Sequence, residues 1–528
     1  MTFQVLISDP LNEDGIKPLI DADHIEVHML TNLSKAELLE RIPEYDALIV
    51  RSQTKVTEDV IEKGERLKVI GRAGVGVDNI DLDAATERGI VVVNSPDGNT
   101  NSAAEHTMAM LMALARNIPQ AHASIKNHNW DRKSFVGVEL KDKILGIIGL
   151  GRIGTEVAYR ARGQRLKVIA YDPYLTEEKA KQLGVQYGTL DDVLRKSDFI
   201  TIHTPLLKET RHILSAGAFR KMKDGVQILN CARGGLIDED ALYRAIKSKK
   251  VRGAALDVFE EEPVKNYKLL DLPEVIATPH LGASTVEAQE NVAVDVSYDV
   301  IRILNGGLPQ NPVNIPSVSA EVMEKIEPYF NLSEKLGRFI ARMTEEPIEE
   351  VTVRFSGSLT ELDISPLTRN AVKGMLKPYL GEHVNDVNAP FLASRKGITI
   401  NESKTSRTKG FTNLITIEVQ TRSSAKTVAG TLLNGLGTRI VKIDNYSVDV
   451  MPEGNLLLIR HKDQPGAIGR VGSLLGQYDV NIATMQVGRS NVGGDAIMVL
   501  TIDKPIDKEC LDDLRNIPNI MHVIPIEL

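Results

Sequence analysis

Cysteine is scarce in this chain. Its 528 residues include two, Cys231 and Cys510, too few for a disulfide framework or a multi-cysteine metal centre, so a reducing compartment and no metal site are expected. Excess positive charge is also missing: the formal net charge is −8, and no lysine/arginine block supplies the footprint for gripping nucleic acid or anionic lipid. Neither nucleic acid nor membrane is expected as a partner. No apolar run approaches the roughly 20 residues of a membrane helix; Thr107–Ala115 is short, methionine-rich and reads as a buried helix. The segment Met1–Ile7 enters a strand pattern at once, without a basic region and small-residue cleavage site, which predicts a cytoplasmic location. A composition that is 42% hydrophobic and 25% charged excludes wholesale disorder. At about 150 residues per domain the length predicts three to four domains.

Short apolar runs at Gln4–Ser8, Ala47–Arg51, Lys68–Gly71 and Ile90–Asn94 alternate with helix patterns such as Ser34–Arg41 and Thr57–Lys63. Continuous Val/Ile/Leu strands alternating with helices predict a doubly wound parallel sheet. The pattern breaks at Ser95-Pro96-Asp97-Gly98-Asn99, a hinge signal, and a helix apolar on most sides follows at Ser102–Arg116. A second α/β series has strands near Ile144–Gly149, Lys167–Asp172, Phe199–His203, Val226–Asn230, Gly253–Asp257 and Val275–Ala277. Gly306–Pro312 reads as a linker. Beyond it come a helix near Glu321–Met343, a strand at Glu350–Phe355, a helix at Thr368–Tyr379, a strand at Leu414–Gln420 and a helix at Ala425–Leu433. From about Asn455 the order is βαββαβ, the ferredoxin-like pattern. The expected fold class is α/β: two doubly wound, Rossmann-like domains, an α+β intervening domain and a C-terminal ferredoxin-like unit. The predicted boundaries are 1–98 plus 295–316, 99–294, 317–452 and 453–528.

The sharpest motif is Gly149-Leu150-Gly151-Arg152-Ile153-Gly154, which follows an apolar strand and opens a helix pattern. In a dinucleotide fold the first glycine makes the turn, the second admits the pyrophosphate and the third lets helix and strand pack closely. The next strand ends in Asp172, near the spacing expected for a ribose-binding carboxylate. No arginine follows to receive a 2′-phosphate, so NAD is favoured over NADP. Arg152 is either a pyrophosphate contact or a solvated cation.

Three further segments close successive strands: Asn230–Gly235, Asp257–Pro263 and Thr278–Gly282. Loops at the carboxyl ends of parallel strands form the ligand crevice. Hydride removal from a secondary alcohol needs a base, a cation for the carbonyl or carboxylate, and fixed orientation. Histidine as a residue type titrates near working pH, which makes His280 the candidate base, and a neighbouring carboxylate would fix its tautomer; Arg233 can hold a carboxylate through two parallel hydrogen bonds.

In order and spacing, Gly149–Gly154, Asn230–Gly235, Asp257–Pro263 and Pro279–Gly282 resemble the D-2-hydroxyacid dehydrogenase family. Gly71–Asn79, Asn230–Gly234 and Pro279–Thr285 are similar to the branch that oxidises D-3-phosphoglycerate with NAD, the entry to serine synthesis. The resemblance covers essentially the whole chain and implies Arg233, Glu262 and His280 as the catalytic arginine, acid and base. The choice of Glu262 over Glu260 or Glu261 rests on the Glu-Pro alignment. NAD contacts are implied at Gly149, Gly151, Arg152, Ile153, Gly154, Asp172, Thr204, Cys231, Ala232, Asp257, Gly282 and Ala283.

The N-terminal half is then expected to hold the substrate, with Arg51 and Arg72 for a phosphate, Lys55 beside them, and amides of Gly74-Val75-Gly76 for a carboxylate. The final unit resembles an ACT domain, implying an L-serine effector near His461, Asp463 and Asn481, and pairing into a homo-oligomer, a dimer or tetramer. Residues 317–452 resemble the extra domain of long family members; Arg395, Lys396, Lys404, Arg407 and Lys409 form a loose basic cluster that reads as solvated surface. Two other readings stay open: a relative acting on glyoxylate, hydroxypyruvate or D-lactate, and a protein that senses dinucleotide without turnover.

Overall fold

The computed structural model describes residues 2–408 and 410–528; Lys409 of the basic cluster lies outside them. Among these residues no helix is long and apolar enough to cross a membrane. The first sheet holds β1 (Phe3–Ile7), β2 (Ile25–Met29), β3 (Ala47–Val50), β4 (Val69–Arg72) and β5 (Val91–Asn94), in the order β2-β1-β3-β4-β5 and all parallel. All four residues of β3 are buried, as a sheet covered on both faces requires. Winding reverses between β1 and β3, so the loops after these strands, carrying Asp9 and Arg51, flank a ready-made crevice.

The second sheet comprises β6 (Ile144–Ile148), β7 (Lys167–Tyr171), β8 (Gln186–Tyr187), β9 (Phe199–Ile202), β10 (Val226–Asn230), β11 (Val251–Leu256) and β12 (Val275–Ala277), ordered β12-β11-β10-β9-β6-β7-β8. Its reversal falls between β6 and β9, where the glycine motif emerges. Two helices cross between the lobes. Thr100–Arg116 sinks Met108, Leu111 and Leu114 into the second core, and Val286–Leu304 returns Ala293, Val296 and Val300 to the first. The expected linker at Gly306–Pro312 is not free: the Asn94 amide donates to the Asn311 carbonyl (3.2 Å), and buried Asp299 accepts from the amides of Gln310 (2.7 Å) and Asn311 (3.0 Å).

The third sheet contains β13 (Ile348–Gly357), β14 (Thr399–Thr405), β15 (Asn413–Thr421), β16 (Ala425–Leu433), β17 (Gly437–Ile443) and β18 (Tyr446–Val450), ordered β14-β13-β15-β16-β17-β18. Two expectations are corrected here. Ala425–Leu433 is a strand, paired on both sides with β15 and β17; alanine and leucine favour a helix, but Thr427, Val428 and Thr431 suit a pleat and the two ladders decide. The single helix expected over Glu321–Met343 is interrupted by a 3-10 turn at Glu327–Tyr329, because Pro328 lacks the amide that would continue it. Its second half, Phe330–Met343, crosses the helix Ser365–Leu380 at Gly337 and Gly374, where the backbones touch.

The fourth sheet, β19 (Asn455–Lys462), β20 (Ile482–Arg489), β21 (Asp495–Ile502) and β22 (Ile520–Glu527), is antiparallel in the order β20-β21-β19-β22. Leu457 and Ile459 face this unit's own helices, while Leu456 and Leu458 join the core of the third sheet. The intervening unit also touches the first lobe, through an Arg395–Glu87 ion pair and a hydrogen bond from Asn385 Nδ2 to the Gly89 carbonyl (2.8 Å).

A methyl group at Gly337 would lie 2.0 Å from the Ala371 carbonyl oxygen. Gly337→Ala should therefore push the two helices apart and destabilise the intervening unit by about 1–3 kcal/mol. Calorimetric unfolding, with near-UV signals of the dinucleotide lobe as the internal reference, measures this.

Candidate active site

The glycine loop divides its labour visibly. Gly149 has φ +91°, a left-handed conformation that suits glycine, and a side chain there would meet the His203 carbonyl at 2.7 Å. A Cβ on Gly154 would lie 2.2 Å from the Gly149 oxygen, so this glycine sets the close helix–strand contact. Gly151, which opens the helix Arg152–Gly163, has nothing within 4 Å of such an atom. Such a bare surface at a helix N-terminus leaves room for a phosphate group to meet the backbone amides. Asp172, just past β7, accepts from the amides of Leu150 (2.9 Å) and Tyr174 (2.8 Å), leaving lone pairs for ribose hydroxyls. Thr204, beyond β9, has a buried hydroxyl without a partner. These residues fit NAD. Arg152 instead reaches Asp97 of the hinge (2.5 Å).

His203 beneath the loop is buried; desolvation lowers its pKa to about 4 and keeps it neutral. Cys231, 8% exposed at the end of β10, has its thiol pushed up to about 12, first by burial and then by the nearby Asp257 charge. Beside it Asn230 ties the turn: its Oδ1 accepts from the Ala232 amide (3.1 Å) and its Nδ2 donates to the Arg233 carbonyl (2.9 Å).

His280 and Glu262 meet across the strand ends. The imidazole Nδ1 lies 2.7 Å from Glu262 Oε2, and Glu262 Oε1 accepts from the Phe259 amide (2.9 Å). Burial pushes this carboxyl upward, but hydrogen bonds from His280 and Phe259 and the imidazolium charge outweigh it, so it stays below the usual glutamate range. The carboxylate accepts Nδ1–H, and Nε2 is left as the free basic nitrogen. Glu260 and Glu261 are engaged elsewhere, with His212 (3.0 Å) and Lys265.

Three arginines converge on the cleft, Arg51 and Arg72 from the first lobe and Arg233 from the second. Arg72 has its pKa lowered to about 10, first by burial and then by the Arg233 and Arg51 charges; its Nε has no partner. The two glycines expected to offer amides also clear space: a Cβ on Gly74 would meet Arg72 Nη1 at 1.6 Å, and one on Gly76 would meet Arg233 Nη2 at 2.0 Å. The cleft between the lobes measures about 1270 Å³ and is lined by Arg51, Lys55, Arg72, Arg233, Glu262 and His280 among others.

Several supports were not anticipated from the sequence. Asp9 accepts from the amide of Arg51 (2.6 Å) and the hydroxyl of Thr54 (2.6 Å), and Asn79 Nδ2 donates to the carbonyls of Arg51 (2.7 Å) and Thr54 (2.6 Å). Together they hold the loop that presents Arg51. The signal for Asp9 was its place directly after β1, at the winding reversal. Asn99 also lines the cleft, with a buried Oδ1 that lacks a partner.

The three expected effector residues do not share one place. His461 is 2% exposed with an unpartnered Nε2, and Asp463 accepts from Arg489 and the Gly493 amide, each at 3.2 Å. Asn481 precedes β20, whose first residue pairs through Ile502 to Asn455 at the far end of β19. Six residues of strand separate the two ends, about 20 Å.

A dinucleotide crevice beside a His–Glu pair and an arginine on neighbouring strand ends defines a D-2-hydroxyacid dehydrogenase. Residues 108–282 match the family model "D-isomer specific 2-hydroxyacid dehydrogenase, NAD binding domain". Residues 325–444 match "D-3-phosphoglycerate dehydrogenase intervening domain", and 455–519 the ACT domain. The D-3-phosphoglycerate dehydrogenase of Bacillus subtilis is 47% identical over 526 residues, covering 100% of both chains; that of Methanocaldococcus jannaschii is also 47% identical, covering 99% of this chain and 100% of its own. The chain belongs to the D-3-phosphoglycerate dehydrogenase family, in its long form. Among solved structures, Aquifex aeolicus D-lactate dehydrogenase, complexed with NAD and lactic acid, is 33% identical with TM-score 0.53, covering 59% of this chain and 100% of its own.

Both cysteines are buried with raised pKa values, and a thiol reacts as its thiolate. Ellman's reagent at neutral pH should therefore leave the native protein essentially untouched and titrate two thiols after denaturation.

Proposed function

We propose that this protein oxidises D-3-phosphoglycerate with NAD to 3-phosphohydroxypyruvate, the entry step of serine synthesis, and that the activity of its first two lobes is regulated by the last two units. The observation that carries the reading is the hydrogen-bonded His280–Glu262 pair opening onto a cleft lined by three arginines. NAD, when bound, supplies the hydride acceptor. His280 Nε2 takes the C2 hydroxyl proton, while Glu262 keeps the opposite nitrogen protonated and stabilises the imidazolium. Arg233 holds the substrate carboxylate and polarises the emerging carbonyl. Arg51 and Arg72, with Lys55 beside them, receive the phosphate; Gly74, Val75 and Gly76 form the floor between them. This surplus of cations distinguishes a phosphorylated substrate from lactate or glyoxylate, which would leave them unpaired.

The dinucleotide lies over Gly149–Gly154, with ribose at Asp172 and further contacts from Thr204, Cys231, Ala232, Asp257, Gly282 and Ala283. Units 1–98 plus 295–316 and 99–294 close over both ligands and exclude water; 317–452 and 453–528 regulate them. Serine binds between two ACT units, His461 and Asp463 from one and Asn481 from the other. Their separation within one chain supports this sharing, and with it a homo-oligomer. A cytoplasmic location is part of the same proposal.

NADH absorbance assays test the reading. His280→Ala should lower turnover at least ~100-fold while NADH still binds. Arg51→Ala should raise KM for D-3-phosphoglycerate about tenfold or more, with little effect on D-glycerate. Equal wild-type rates on phosphorylated and unphosphorylated acids would overturn the assignment.

A further inference from the structure

Among the described residues, the Arg233 side chain donates two hydrogen bonds within the protein. Its Nη1 donates to the Ala232 carbonyl (2.7 Å) and its Nε to Asp78 Oδ2 (3.0 Å). Asp78 belongs to the opposite lobe, in the turn between β4 and the helix Leu82–Glu87. That turn is firmly tied. Its next residue, Asn79, donates through Nδ2 to the carbonyls of Arg51 and Thr54, and its own carbonyl accepts from the Val56 amide (2.8 Å). Beneath the ion pair lies Gly76: a Cβ there would meet Arg233 Nη2 at 2.0 Å and Asp78 Oδ2 at 2.8 Å. Guanidinium and carboxylate therefore rest together on bare backbone.

The Asp78 side chain is 66% exposed, and an exposed ion pair adds little to stability. Orientation is another matter. A guanidinium is a planar fork, so a single fixed acceptor on Nε sets the direction of the whole group. With Nε given to Asp78 and one Nη1 hydrogen to Ala232, the unused hydrogens lie on Nη1 and Nη2, which can take both oxygens of a carboxylate.

We propose that Asp78 is a positioning residue for the reaction: it turns Arg233 end-on toward the substrate carboxylate, and because it sits on the other lobe it does so when the lobes are together. This rests on the role given to Arg233 above. The same contact has a competing consequence, that Asp78 merely occupies Arg233 until substrate displaces it, and the two predict opposite signs.

The test compares wild type, Asp78→Ala, Asp78→Asn and Arg233→Lys. It uses steady-state kinetics with D-3-phosphoglycerate and its C2-deuterated form, NADH binding by fluorescence, and thermal melting. Asp78→Ala should lose about tenfold in kcat, with a larger deuterium effect and unchanged NADH affinity and melting temperature. Asp78→Asn, whose amide oxygen still accepts from Nε, should recover most of that loss. Asp78→Ala turning over as fast as wild type or faster, Asp78→Asn as impaired as Asp78→Ala, or a loss that merely tracks a lowered melting temperature would each overturn the proposal. Arg233→Lys separates the levels: undiminished turnover there sinks the role of Arg233 itself, whereas a slow Arg233→Lys beside an unimpaired Asp78→Ala sinks only the positioning claim.

Discussion

At the end of β11 the carboxylate of Asp257, with no exposed surface, accepts from the Thr278 hydroxyl (2.6 Å) and the amides of Leu281 (2.7 Å) and Gly282 (2.8 Å), and lies 3.2 Å from His106 Nε2. A buried carboxylate without such partners would cost several kcal/mol. Here burial pushes the group upward, but hydrogen bonds from His106, Thr278 and Leu281 outweigh it and keep the group below the usual aspartate range. These bonds fold residues 278–282 into one turn, and the His280 amide adds another to the Asp257 carbonyl (2.9 Å). His280 is thereby held at φ +56°, a left-handed conformation that is strained for a residue with a Cβ. The imidazole meets Glu262 because this anchor leaves it little choice.

The cationic part of the cleft is built on repulsion rather than saturation. Arg51, Arg72 and Arg233 are close enough that Arg72 feels both neighbours, yet at about 10 its pKa keeps it charged at neutral pH. Like charges gathered beside a low-dielectric wall raise the local potential and favour an incoming anion. The arrangement is tolerated because its supports are elsewhere: Asp9 and Asn79 fasten the Arg51 loop through the backbone, and Gly74 and Gly76 let two guanidinium groups lie flat against the chain.

The two C-terminal units are continuous in their packing. Leu456-Leu457-Leu458-Ile459 is apolar at every position because both faces of the last sheet are buried, one by its own helices and one by the helix Phe330–Met343 and its neighbours. The intervening unit in turn rests on the first lobe at Glu87 and Gly89, where a side chain on the glycine would strike Asn385 at 2.3 Å. The two C-terminal units and the first lobe are thus linked by packed contacts rather than by a loose tether.

Most strands of the two parallel sheets (though not β2 or β8), the glycine turn, Asp172 and the βαββαβ unit were legible in the sequence because each is a local pattern: an apolar run, a fixed glycine spacing, an alternation of periods. The Arg233, Glu262 and His280 candidates were legible as strand-end residues, although choosing Glu262 among three consecutive glutamates needed a resemblance. Tertiary structure alone decided that Ala425–Leu433 is a strand, since two neighbouring ladders outweighed its composition. It decided too that Gly74 and Gly76 make room for arginines, and that Asp9, Asp78 and Asn79 bond to groups distant in sequence. Local patterns report how a segment folds on itself; which polar group satisfies which is settled only when the chain brings them within hydrogen-bond reach and removes the water that would otherwise serve.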